Sequence, residues 1–535
     1  MPAARRVAAA LLAAFLVQCV LSMRLLNATY DEHSHLAAGF TYWKTGDFRL
    51  NPQHPPLAKL LGGLPLLFLS PEVRWTHKSW AGATPDEWDF GARFLYAWGN
   101  DADRLLFWGR LPIVLLGVLM GVYVFRWSAE RFGPRAGVFA LALYAFCPNV
   151  IAHARFVTMD VPVSAFLTMT FYYLWRYRRE GTRRPLLLAA LSLGLALASK
   201  FSAVLLLPVA LALVVLTPQG PAAPVEEKPA GKSKGKGRKK AAAEPARLSR
   251  VAALVAMIAV SAAVVWASYL FTDPGAYWRG LVAVHRDHRP DHFFYLMGEF
   301  KQGGWWYYFL AAFLFKTPVP VMLAMVAAAV VAWRSRTTTM IDDVLLLAPA
   351  AVFFILTSAL AHNLGLRYVL PVFPLVFVFA SRLGESLTRH RLGLAFVAAL
   401  ALWQAGGALR IYPDYFAYFN EVSGGPRNGY RLLDDSNLDW GQDLKRLGEY
   451  LKEQNVTDVR LCYNSQGHPP YYGIKAQRIL TPQLRYDPEP GLYAIAIHCL
   501  LRARAPASMG GTEVDWLARY EPVGRVGYSF YLFRF

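Results

Sequence analysis

Apolar runs of helical length recur along this chain, separated by short polar breaks. The first, at 7–26, follows Arg5 and Arg6; others cover 105–127, 136–151, 157–177, 248–271, 309–333, 344–361, 368–381 and 392–409. The stretch 185–218 is too long for one crossing and is interrupted at Ser199-Lys200-Phe201-Ser202, so it reads as two short helices joined by a tight turn. A bilayer crossing takes about 20 mostly apolar residues in helix, and the pattern predicts eleven crossings. Two long segments carry none: 27–104, after the first crossing, and 410–535. Within the second, 456–462 and 492–498 are apolar and strand-like, while 443–453 has helical spacing. The expected architecture is an α-helical polytopic membrane protein, with a membrane domain at 1–409 and a small C-terminal extracytoplasmic α/β domain at 410–535.

Composition agrees. Of 535 residues, 55% are hydrophobic, 14% aromatic and only 17% charged, against about 25% charged in an average globular chain. That excludes a disordered polyelectrolyte, a coiled coil and a disulfide-rich secreted module. The net charge of +20 raises nucleic acid as a partner, and the placement of the charges answers it. With the N-terminus cytoplasmic, the inner segments are 126–135, 176–184, 218–250, 333–343 and 382–391. Together with Arg5 and Arg6 they hold 24 of the 56 basic residues and 8 of the 36 acids, the excess that marks the cytoplasmic side. The short outer turns carry one basic residue each, Arg155, Lys200 and Arg367. The charge is therefore an orientation signal. It implies no nucleic acid, a C-terminus outside the cytoplasmic membrane, and a flexible basic linker at 218–250 against anionic lipid headgroups. That linker lacks the spacing of a phosphate loop. No small-x-small site stands near 22–27, so the first run reads as a retained helix and not a cleaved signal.

The outer side carries the candidate chemistry. Asp31 and Glu32 open the first outer loop, 27–104; alone they would suit a helix N-terminus, where acids favour the dipole. Asp160 changes the weighing, because it lies at the outer end of a crossing, and ionisable residues there are rare and usually functional. Arg155, five residues earlier, is badly spaced to neutralise it. Cations gather on the same side: His54 and Lys59 in Asn51-Pro-Gln-His-Pro-Pro-Leu-Ala-Lys59, Arg155, Lys200 and Arg367. Each alone would be an interfacial anchor; as a set they suit a lipid-linked phosphate. The apolar run 57–69 is expected to lie flat on the bilayer. His285, His288 and His292 have metal-like spacing but alternate with Arg and Asp, as an exposed polar loop would. Trp305 and Trp306 read as an interfacial belt, with stacking on sugar faces as a second reading. Cys19 and Cys147 sit in crossings as packing residues, while a Cys462–Cys499 disulfide stays open. Gly-x-Gly-x-x-Gly, phosphate-loop and Gly-x-Ser-x-Gly motifs are absent, which removes local support for nucleotide binding and serine-hydrolase chemistry.

Taken in order, Asp31-Glu32, His54-Pro-Pro-Leu57, Asp160 after Arg155, Gly304-Trp-Trp-Tyr-Tyr308, Phe315-Lys-Thr-Pro318, Asn363-Leu-Gly-Leu-Arg367 and Asp435-Ser-Asn-Leu-Asp-Trp-Gly-Gln442 resemble the GT-C membrane glycosyltransferases. The likeness is to a bacterial branch near family 39, the protein O-mannosyltransferases and the aminoarabinose transferases of lipid A, over most of 1–445. It implies a GT-C fold and an inverting transfer from a polyprenyl-phosphate-linked sugar, at the outer face of the membrane, to a protein, lipid or glycan acceptor. Asp31 would be the general base, with Glu32 and Asp160 positioning the acceptor or tuning it. His54, Lys59, Arg155, Lys200 and Arg367 would hold the lipid phosphate, and Trp305 and Trp306 the sugar. No cofactor and no required metal are implied, since Gln53 stands where some relatives carry an acid; a divalent ion stays open. Residues 435–442 would form a strand-to-helix turn with Asp439 as a cap. The competing readings are a flippase for lipid-linked sugars, disfavoured by the absence of an internal repeat, and an anchored binding module acting through its tail. Donor sugar, carrier lipid and acceptor stay open.

Overall fold

A computed structural model describes residues 2–217, 248–286, 291–335, 340–485, 488–505 and 516–535. The basic linker from 218 to 247 and the centre of the His-rich loop, 287–290, lie outside the described residues. Helices stand at all the places where crossings are expected, but not all of them have by themselves the length and apolarity of a crossing. Five are long and apolar enough: Pro2–Met23, Ala102–Phe132, Arg250–Ser268, Ile341–Leu360 and Arg391–Ile411. Two bent pairs, Pro134–Ala145 with Pro148–Ala154 (64°) and Tyr308–Lys316 with Val319–Arg334 (105°), raise the number among the described residues to at most seven.

The shortfall from eleven has a physical cause. An apolar run reports burial, and protein buries a helix as well as lipid does. Val372–Ala380 has nine residues, all buried in the bundle; at 1.5 Å per residue it spans about 14 Å, less than half of a hydrocarbon core of about 30 Å. Arg183–Leu197 has 15 residues, and Asp160–Glu180 spends its last turns on Arg176, Arg178, Arg179 and Glu180.

The two bends follow from proline. A residue before proline is driven out of the helical region, and the chain turns at Cys147-Pro148 and Thr317-Pro318. The carbonyls freed there are recaptured: the Asn149 amide donates to Lys316 O (2.7 Å) and the Asn420 amide to Thr317 O (2.9 Å). Irregular backbone inside a membrane protein is tolerated only under such cover.

The long segment 27–104 folds onto the bundle. Glu32–Thr45 crosses Leu57–Gly63 so closely that a Cβ on Gly39 would stand 1.9 Å from Lys59 O, and one on Gly63 2.3 Å from the Gly39 carbonyl carbon. The run expected to lie flat on the bilayer thus packs against protein, with Ala58, Leu60 and Leu66 buried, and only Phe68 fully turned out. Backbone contact between helices is what its small residues are for.

The tail is a five-stranded sheet ordered Ala476–Arg478, Val459–Cys462, Leu492–Ala496, Phe530–Arg534, Gly524–Val526. The first two pairings are parallel and the last two antiparallel. The expected strands and the helix Leu444–Glu453 are present. The strand expected to reach 498 stops at Ala496, because Ile497–Ala503 is a helix, and that change of element turns His498 toward the membrane domain. Cys462 and Cys499 are free, buried thiols in contact with each other.

Candidate active site

Asp31 and Glu32 are neighbours in sequence with opposite fates. Glu32 begins the helix Glu32–Thr45 and is fully buried. Arg110, one-third of the way along Ala102–Phe132, grips it with two parallel bonds, Nε to Oε1 at 2.8 Å and Nη2 to Oε2 at 2.7 Å. The same guanidinium donates to the carbonyls of Met23, Leu26 and Asn27, each within 2.9 Å, and Glu32 accepts from the Val157 and Thr29 amides. His35 Nδ1 meets Val157 O at 2.9 Å. The Val157 peptide is therefore clasped from both sides by the first loop, and this sets the start of the helix Asp160–Glu180. Glu32 lines neither the cavity of Asp31 nor that of His54, and its bonds fix the backbone on both sides of it.

Asp31 makes no capping bond, although it holds the N-cap position. Its Oδ2 faces Arg367 Nη1 at 3.3 Å. The same nitrogen lies 3.9 Å from Asp160 Oδ2, and Asp160 Oδ1 accepts from Lys200 Nζ at 2.6 Å. Asp31, Arg367, Asp160 and Lys200 thus form one chain of alternating charge, drawn from four separate segments. Aromatic faces back the cations: Arg367 lies 4.0 Å over Trp440, and Lys200 4.5 Å over Tyr368. Of the three carboxylates, Asp31 is the open one, with 19% of its side chain exposed against 2% for Asp160 and 0% for Glu32.

His54 stands beside this chain, its ring 5.6 Å from that of His35. Burial among Lys59, Lys200 and Arg367 pulls both imidazoles below the usual histidine range, so both are neutral near pH 7. His54 also lines a larger cavity of about 620 Å³ under the segment 269–283.

The remaining expected ligands lie elsewhere. Lys59 is buried, with its ammonium on Asn51 O, Asn51 Oδ1, His54 O and Tyr42 Oη. Burial pulls it down to about 7, against the opposing pull of the Glu87 carboxylate. It shapes the loop that presents His54. Arg155 donates to Pro413 O and lies between the rings of Phe156 and Tyr415, away from the charge chain. Trp305 is buried, its amide held by Asn363 Oδ1 at 2.7 Å, and Trp306 is 76% exposed. Among the described residues no group of three or more His, Cys, Asp or Glu side chains could hold a metal ion.

Asp31 and Arg367 open into a cavity of about 320 Å³ shared with Asp435, Asp439, Trp440 and His498. Residues 434–442 are the part that sequence reading placed least well. They form no simple strand-to-helix turn, and Asp439 caps no helix; its Oδ1 accepts from the Gly441 amide. The segment is a hub: Asn437 Oδ1 receives the Leu366 amide, Asn437 O receives Lys316 Nζ, and the carbonyls of Trp440 and Gln442 receive the amides of Tyr30 and Asn27. It ties the loop of Asp31 to the loop of Arg367. Burial pushes the Asp434 carboxyl up, but His498 and Arg502 beside it pull harder and hold it below the usual range. Arg110 was legible in principle, as an arginine inside a 23-residue apolar run at 105–127. His498 was not, because its role depends on where the sheet domain sits.

A family model for dolichyl-phosphate-mannose-protein mannosyltransferases matches residues 103–227. No curated protein matches the chain. Among solved structures it is similar to ArnT from Cupriavidus metallidurans bound to undecaprenyl phosphate, at 12% identity over 98% of this chain and 97% of that one, with a TM-score of 0.48. It is similar to the apo state of that protein at 13% identity over the same shares, with a TM-score of 0.46. The Archaeoglobus fulgidus oligosaccharyltransferase with zinc and sulfate aligns over 74% of this chain and 52% of that one, at 13% identity and a TM-score of 0.39. The matched stretch 103–227 holds Arg110, Asp160 and Lys200, and so half of the charge chain.

Proposed function

We propose that this protein is an inverting glycosyltransferase of the GT-C kind, moving a sugar from a polyprenyl-phosphate carrier to an acceptor hydroxyl at the outer face of the cytoplasmic membrane. The observation that carries the reading is the Asp31–Arg367–Asp160–Lys200 chain. One open carboxylate stands next to two cations held in place by ion pairs, in a chain whose 103–227 segment matches enzymes named for a lipid-phosphate-linked mannose donor.

The chemistry follows from the geometry. The acceptor oxygen attacks the anomeric carbon while Asp31 takes its proton, as a general base must do within hydrogen-bond reach. The bond to the lipid phosphate breaks, and the departing phosphate carries the electron pair. Arg367, Lys200 and neutral His54 supply the charge and hydrogen bonds that steady it. Asp160 anchors both cations before the donor arrives, and Glu32 anchors the backbone leading to Asp160. No step needs a metal ion.

Purified full-length protein should transfer radiolabel from a polyprenyl-phosphate-linked sugar to an acceptor fraction, and Asp31→Asn should reduce that transfer by at least a hundredfold at unchanged expression. Full transfer by Asp31→Asn would remove the base assignment. Movement of intact donor across a bilayer without product would favour the flippase.

A further inference from the structure

The cavity into which Asp31 opens is walled on its far side by the tail, and that wall has unused binding capacity. Asp435 accepts the Ser436 amide through Oδ1 at 2.6 Å; its other oxygen has no hydrogen bond or ion pair among the described residues. Asp439 is 8% exposed, turns Oδ1 to the Gly441 amide, and likewise leaves its second oxygen without a partner among the described residues. Both line the cavity with Asp31 and Arg367. Their neighbour Asp434 is spent differently, pinned between His498 and Arg502 of the helix Ile497–Ala503. That pairing holds the helix over the cavity and leaves Asp435 and Asp439 free to face its contents.

Asp435 is half-buried and Asp439 almost wholly buried; their second oxygens face the cavity and stand ready for a guest that brings hydroxyls or amines. Charge selects between these. Arg367 and His498 are close to Asp435, which disfavours a cationic guest. The cavity, at about 320 Å³, is at the lower end of the range of small-molecule sites, which begins near 300 Å³. A serine or threonine side chain would bring one hydroxyl, and Asp31 already takes it.

We propose that Asp435, with Asp439 beside it, is an acceptor-binding residue, and that the acceptor is a saccharide whose further hydroxyls are held by these two carboxylates while one is presented to Asp31. This rests on the glycosyl-transfer reading above and sharpens it by naming the acceptor class. Burial pushes both carboxyls up, Asp439 to about 7, so at neutral pH Asp439 can also donate to a sugar oxygen. The tail thereby becomes the part that chooses the acceptor, while the membrane domain handles the donor.

The test uses full-length protein in detergent, a labelled polyprenyl-phosphate sugar, a panel of methyl glycosides and short oligosaccharides, and a Ser/Thr-rich peptide in parallel. Asp435 has φ +58°, a conformation that asparagine tolerates as well as aspartate does, so Asp435→Asn keeps the backbone. Its thermal midpoint should match the wild type. The expected result is transfer to a saccharide, with Asp435→Asn raising the acceptor KM about ten- to a hundredfold, the worth of one charge-assisted hydrogen bond, and changing kcat far less. An unchanged saccharide KM in Asp435→Asn, or transfer to the peptide and to no saccharide, overturns the proposal and leaves the transferase reading standing. Failure of the wild type to release sugar from the donor with any acceptor overturns both.

Discussion

Replacing Arg110 by methionine is the most informative perturbation of the fold. It removes two bonds to Glu32 and three to the carbonyls of Met23, Leu26 and Asn27. Glu32 stays behind, 0% exposed, with only the Val157 and Thr29 amides for company. Breaking a buried pair from one side costs about 3–5 kcal/mol, and each buried carbonyl left without a donor about 1–3 kcal/mol more. With the Leu26 and Asn27 carbonyls stranded, the loss comes to roughly 5–11 kcal/mol, comparable to the stability margin of a typical domain, roughly 5–15 kcal/mol. The expectation is a protein recovered in low yield, with a thermal midpoint in detergent far below that of the wild type. The double variant Arg110→Met with Glu32→Leu should regain part of this, since no charge is then stranded, but not all, because the carbonyls of Leu26 and Asn27 remain without a donor. Thermal unfolding followed by tryptophan fluorescence at a fixed scan rate reads the ordering. A single variant as stable as the wild type would refute the clasp, and so would a double variant less stable than Arg110→Met alone.

Three further outcomes follow from the same geometry. Asp160→Asn frees Lys200 and Arg367 from their anchor and should lower transfer at least tenfold while leaving the protein folded, read as initial rate beside size-exclusion profile; an unchanged rate would remove Asp160 from the site. Lys316→Met strands the carbonyls of Phe416, Tyr418 and Asn437 and should cost about 3 kcal/mol or more, seen as a lower midpoint that Lys316→Arg does not restore. Asp439 titrates near 7 in the folded protein and near 3.8 unfolded. Its raised value contributes stability that is fully present below about 4 and lost as pH rises through about 7; Asp439→Asn should flatten that fall in the thermal midpoint between pH 4 and 7.

Asp31 and Glu32 show how far reading by residue type can go. As a pair they were recognisable, because adjacent carboxylates beside a membrane need a reason. Which of them faces substrate was not, since that depends on Arg110 and Arg367, 78 and 336 residues away along the chain. Lys59 and Arg155 were grouped with the phosphate ligands for their charge, yet each spends its donors on backbone carbonyls of a neighbouring loop. Long cationic side chains reach several acceptors, so their charge says little about their target. Trp306 kept its expected place at an exposed surface, as an interfacial ring does.

By itself the sequence determined the class of protein, since apolar runs of crossing length and a one-sided distribution of Lys and Arg are local facts of composition. It also determined the sheet domain, whose strands and helix announce themselves by period, and it singled out the candidate carboxylates. Only the tertiary structure decided which apolar helices are covered by protein, because Val372–Ala380 is as apolar as any crossing and is buried in the bundle. Only it decided that Asp31, Asp160, Lys200 and Arg367 are one site, and that Asp435 and His498 face it from the tail. The physical reason is the same in both cases. Period and composition act over one or two helical turns, whereas a charge chain is closed by side chains that the backbone brings together from hundreds of residues apart.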